Sequence, residues 1–113
     1  MRLKTALWVA AYLRRCQVEG LSAVVRRRGA EEAGVIFVRI CRLDGTSDLF
    51  GPAPQSTLEQ GAVDRTFTAA LAPRPIPDAE IEAYLTRQTK FDSDLWIVEV
   101  EDPAGRNFLN IVD

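Results

Sequence analysis

Val35-Ile36-Phe37-Val38-Arg39-Ile40-Cys41 is the segment on which the fold turns. Its side chains are mostly β-branched and show no helical stripe, so it reads as a pleated, buried strand. If Ile36, Val38 and Ile40 face the core, Phe37 and Arg39 share the opposite face. A second tract, Leu95-Trp96-Ile97-Val98, is apolar on both faces. It predicts a central strand covered from both sides, and the face of a second copy is one way to supply the further cover.

Working outward, residues 3–18 contain Leu, Ala and Arg without Gly or Pro. Ala6, Val9, Leu13 and Cys16 follow helical spacing, flanked by Trp8 and Tyr12, and Gly20 is placed to end the helix. Residues 22–28 read as a strand and 29–34 as its turn into the 35–41 strand. Asp44-Gly45 is a turn pair, returning the chain through Asp48, Leu49 and Phe50 until Gly51-Pro52-Ala53-Pro54 breaks the strand. Residues 55–64 are polar and read as a surface loop. Residues 65–71 alternate as a half-buried strand should. Pro73, Pro75 and Pro77 form a stiff connector. Asp78 is a capping residue for a second helix whose apolar side is Ile81, Tyr84 and Leu85. After the 95–100 strand, Asp102-Pro103-Ala104-Gly105 is a turn tetrad, and residues 108–112 complete a terminal hairpin. The expectation is one α+β domain over 1–113, of order α-β-β-β-β-α-β-β. Its antiparallel sheet has about five to six strands, with two helices packed on it.

Composition narrows the chemistry. The chain has 113 residues, 14 basic and 16 acidic, with two cysteines and no histidine. Without histidine there is no His-based acid–base pair, no Ser-His or Cys-His nucleophile and no ordinary catalytic zinc site. Cys16 and Cys41 make neither a disulfide framework nor a Cys-x-x-Cys ligand pair, and read as buried thiols in a reducing cytosol. The run after Arg2 and Lys4 is too short for a membrane span, and Arg14-Arg15 stand where a signal cleavage site would begin. Charge is uneven. Residues 1–42 hold nine basic and three acidic side chains, and residues 43–113 hold five and thirteen.

Four constellations could bear function. Arg26, Arg28, Phe37 and Arg39 would form a basic sheet face with one aromatic, suited to an anion or single-stranded nucleic acid if Glu31, Glu32 and other acids do not neutralise it. Asp92, Asp94 and Glu99, with Glu101 and Asp102 nearby, could hold a hard cation for hydrolysis. The calcium-loop pattern fails there, however, because Leu95, Trp96 and Ile97 occupy ligand positions. Leu43-Asp44-Gly45-Thr46 resembles a phosphatase motif, but Arg42 stands where the nucleophilic aspartate belongs, so it reads as a hairpin turn. The amino-terminal helix has basic ends like an interfacial anchor, yet its pattern is that of core packing.

Residues 3–15 (LKTALWVAAYLRR), 33–54 (AGVIFVRICRLDGTSDLFGPAP) and 91–109 (FDSDLWIVEVEDPAGRNFL) together resemble the alphaproteobacterial family catalogued as domain of unknown function 1491. The resemblance implies a stand-alone bacterial protein and carries over no catalytic residues. The resulting expectation is a small cytoplasmic protein, without cofactor or metal. It would work by binding, as a homodimer or an accessory subunit of a protein partner. Partner contact falls to Trp96, or to Gly51, Pro52 and Pro54 beside Asp92 and Asp94. Nucleic-acid binding through the arginines is the alternative, and a carboxylate-based metal hydrolase the third reading.

Overall fold

The computed structural model describes residues 4–54 and 65–112. Along the chain these form α1 (Thr5–Val18), β1 (Ser22–Arg27), β2 (Ile36–Cys41), β3 (Thr46–Pro52), β4 (Thr66–Ala69) and β5 (Ile76–Pro77). The remaining elements are α2 (Asp78–Phe91), β6 (Trp96–Glu101) and β7 (Asn110–Ile111). The strands make one sheet of order β1-β6-β2-β3-β4-β7, with β5 paired to β3. The loop expected over 55–64 lies outside the described residues.

Class and helix number match the expectation, but the sheet is mixed rather than antiparallel. β6 runs parallel to β2, from Ile36↔Trp96 to Cys41↔Glu101, and β7 runs parallel to β4. The expected hairpin of the first two strands does not form, because β6 inserts between them and pairs antiparallel with β1. Nor do the last strands form a hairpin, since β7 leaves β6 for the far edge. Within the proline-rich connector, Ile76 and Pro77 form a short strand against Ser47 and Thr46.

Strand alternation sorts the core into two layers. On one face Ile36, Val38, Ile40, Trp96, Val98 and Val100 pack with Val9, Tyr12 and Cys16 of α1. On the other, Phe37, Leu49, Leu95 and Ile97 pack with Ile81 and Leu85 of α2. β6 is therefore central and covered on both sides, and α2 supplies the second cover. Each fully buried Leu or Ile in these layers would cost about 2–5 kcal/mol if cut to Ala.

The ends of α1 explain its placement. Its first N–H groups have no side-chain cap; instead the Thr5 and Ala6 amides donate to the Glu32 and Glu31 carbonyls at 3.3 and 2.9 Å. The helix start is thereby docked on the loop before β2. At the other end Gly20, at φ +84°, donates to Gln17 O, and Leu21 N–H reaches Cys16 O at 3.0 Å. This is the glycine-terminated helix stop the sequence signals.

Candidate functional site

The ladder between β2 and β3 runs from Cys41↔Ser47 to Val38↔Phe50 and stops there. In that register the next pairs would be Phe37 with Gly51 and Ile36 with Pro52, and a proline has no N–H for a ladder. β3 instead continues with β4, pairing Gly51↔Thr68 and Pro52↔Phe67. The two strands separate around a groove of about 390 Å³ lined by residues 33–36, 52–54 and 65–67. Its buried lining is apolar, comprising Ile36, Ala53 and Phe67, and Pro52 and Pro54 stand exposed at the rim. At its α1 end, Arg65 Nη2 donates to Thr5 Oγ1 at 2.9 Å, and that hydroxyl donates to Gly34 O at 3.0 Å.

On the α2 face, Arg39 is a buried guanidinium surrounded by acceptors. Its Nη2 lies 3.0 Å from Asp78 Oδ1, and its Nη1 meets Glu82 Oε2 at 2.5 Å and Glu99 Oε2 at 3.1 Å. Its Nε donates to Ser47 Oγ at 3.0 Å, and Ser47 in turn donates to Asp78 at 2.7 Å. Arg26 binds the same Glu82 through both terminal nitrogens, at 2.6 and 2.8 Å, and Glu99 at 2.9 Å. The Arg26 hydrogen bonds, against some opposing burial, hold the Glu82 carboxyl below its ordinary value.

The sequence-predicted arginine set is thus divided. A bulge between Val25 and Arg27 breaks the strand alternation. Arg26 turns to the α2 face, whereas Arg28 lies 4.9 Å over the Trp96 ring, which belongs to the α1 layer. Phe37 is buried with its edge toward Tyr84, and it packs on Gly51, where a Cβ would strike its ring. Arg26 and Arg39 give their charge to the three carboxylates.

Trp96 is 1% exposed, and its indole N–H donates to the Ala30 carbonyl at 2.7 Å. Asp92 Oδ1 accepts the Asp94 amide at 2.9 Å, a turn-organising bond. Glu99 turns to Arg26 and Arg39 rather than to these aspartates. Among the described residues no group of three His, Cys, Asp or Glu side chains is placed to hold a metal ion. The 43–46 segment is a hairpin turn, with Asp44 accepting from both the amide and the hydroxyl of Thr46. Cys16 and Cys41 are unpaired thiols, each pushed up in pKa chiefly by burial. Among the described residues no helix is long and apolar enough to cross a membrane.

Sequence reasoning missed Asp78, Glu82 and Ser47 as partners of Arg39, and residues 33–36 and 65–67 as groove walls. Arg39 itself was the available signal, since a guanidinium inside an apolar strand needs carboxylates.

Comparison with known proteins places this architecture. A family model described as "Protein of unknown function (DUF1491)" matches residues 3–110. The crystal structure of a DUF1491 family protein from Caulobacter crescentus CB15 is 34% identical, with TM-score 0.80 and full coverage of both chains. The solution structure of protein Atu0922 from A. tumefaciens is 43% identical, with TM-score 0.84, covering 100% of this chain and 97% of that one. No curated protein matches. With a family match over nearly its entire length and relatives of the same fold at this identity, the chain belongs to the DUF1491 family.

Proposed function

We propose that this protein is a non-enzymatic binding module that acts through protein–protein contact, seating an extended apolar segment of a partner in the β2–β3 groove. The observation that carries this reading is the interrupted ladder. Where β2 and β3 part, a strand's flank and a proline-bearing wall enclose a trough with an apolar floor and with Arg65 and Thr66 in its wall, of the size that takes a few side chains. The titratable groups support binding over catalysis. The carboxyls of Asp44, Glu82 and Asp102 are held below their ordinary values, and both thiols are raised. Those directions favour charged, paired carboxylates and inert thiols, the opposite of an acid, base or nucleophile tuned toward neutrality.

The test is selection of short random peptides on the folded protein, followed by amide shift mapping. Enriched peptides should share an apolar core and shift residues 33–36 and 52–54. Thr66→Arg, which places a charge at the groove wall, should weaken them by about tenfold or more while leaving the amide spectrum otherwise intact. Enrichment of peptides that shift other surfaces, or none at all, overturns the reading.

A further inference from the structure

Helix α1 buries Thr5, Val9, Tyr12 and Cys16 and leaves a second line of side chains to solvent. That line is Leu7, Ala11, Arg14 and Val18, spaced by four, three and four residues, with Ala10 beside it. Leu7 is 58% and Val18 71% exposed, so both ends of the stripe are large apolar groups in water. The alanines between them let another backbone approach closely. Charge on this side is mainly positive. Among the described residues no carboxylate lies within ion-pair distance of Arg14. Lys4 and Arg15 make exposed ion pairs, with Glu32 at 3.4 Å and Glu19 at 3.8 Å, which contribute little and exchange readily, and Arg15 also lies 4.9 Å over the Phe108 ring.

We infer that the outer face of α1 is a docking surface for an acidic amphipathic helical segment of another protein. Leu7, Ala11 and Val18 would receive its apolar side, and Lys4, Arg14 and Arg15 its carboxylates. A second copy of the chain fits poorly. Setting Leu7 against Val18 of a second copy puts the twofold axis between Ala11 and Arg14, so the two Arg14 guanidiniums flank it with no carboxylate supplied by α1 of either copy at that position. A lipid surface fits poorly as well, because interfacial helices present a broad aromatic and aliphatic face. Here Trp8 is stacked on Tyr12 and tilted against Phe67 instead. This surface is independent of the β2–β3 groove.

The probe is a synthetic helical peptide with leucines at helical spacing flanked by glutamates, titrated into isotope-labelled full-length protein. Shifts should be confined to exposed α1 positions, and the affinity should fall as salt is added. Arg14→Glu should weaken binding about tenfold and Arg14→Lys should largely preserve it, with both variants retaining the parent spectrum. Equal binding of a lysine-flanked version of the peptide overturns the inference, as does an absence of α1 shifts. Two further outcomes overturn it in favour of other occupants. One is binding to phosphatidylcholine vesicles containing phosphatidylserine without binding to the peptide. The other is sedimentation as a dimer that Leu7→Ser abolishes.

Discussion

Trp96 shows how one side chain can settle a connection. Its indole N–H holds the Ala30 carbonyl at 2.7 Å, its amide donates to Val35 O at 2.8 Å, and Arg28 covers its ring. Gly29 and Gly34 let the same loop lie against the Asp94 carbonyl, where any Cβ would collide with backbone. The tryptophan therefore clamps the crossing from β1 to β2 over the start of β6. Trp96→Phe keeps most of the packing but strands the Ala30 carbonyl. It should cost about 1–3 kcal/mol, read as a lower denaturation midpoint with an unchanged slope. An unchanged midpoint would show that the indole bond does not contribute. The sequence marked 95–98 as a strand covered on both faces while also offering Trp96 as a partner contact. It could not show the Ala30 contact, since nothing local to 95–98 specifies which loop passes overhead.

Arg39 ties α2 to the sheet through Asp78 and Glu82, both in the first turns of that helix. Asp78 and Glu80, the acids of its first turn, also suit the positive end of the helix dipole. Arg39→Met would leave Glu82 and Glu99 with Arg26 as their shared cation and, among the described residues, Asp78 with only the Ser47 hydroxyl. Because Asp78 and Glu82 are nearly half exposed, the cost should be about 1–3 kcal/mol at neutral pH, below the ~3–5 of a fully buried broken pair. The pH dependence has the same sign in the two proteins and is shallower in Arg39→Met. In the parent, Glu82 is held below its unfolded value, so its contribution is complete above the ordinary carboxyl range and is lost as pH falls through the folded value. In Arg39→Met, Arg26 still holds the Glu82 carboxyl below its ordinary value while the Arg39 bond is gone, so the stability lost as pH falls should be smaller than in the parent. Denaturant melts across this interval check it, and parallel curves for both proteins would dismiss the network as an anchor. The face shared by Phe37 and Arg39 was legible from alternation. The carboxylates opposite were not, because they come from a distant helix and from a strand whose neighbours the pattern alone does not name.

Strand order is where sequence reading reached its limit, and the reason is physical. Short connections suggest adjacent strands, and the 28–35 connection is short enough for a hairpin, yet β6 occupies the place between β1 and β2. What the sequence did contain was the two-sided apolarity of 95–98, which requires cover on both sheet faces without saying which strands flank it. The consequence is a sheet that cannot close until its carboxy-terminal part arrives. Outside β6, β1 has no strand neighbour, and β2 has only β3. A chain ending at Phe91 retains both helices, yet loses the strand that carries Trp96, Val98 and Val100 into one layer and Ile97 into the other. Such a fragment should show no cooperative unfolding transition and a collapsed amide spectrum, despite residual helical signal in the far ultraviolet. The intact protein should refold in the millisecond-to-second regime of non-local topologies, since loop closure must precede the pairing of β1 with β6. A fragment that melts cooperatively would mean that β1 to β5 hold an independent core, and the central role assigned to β6 would fall with it.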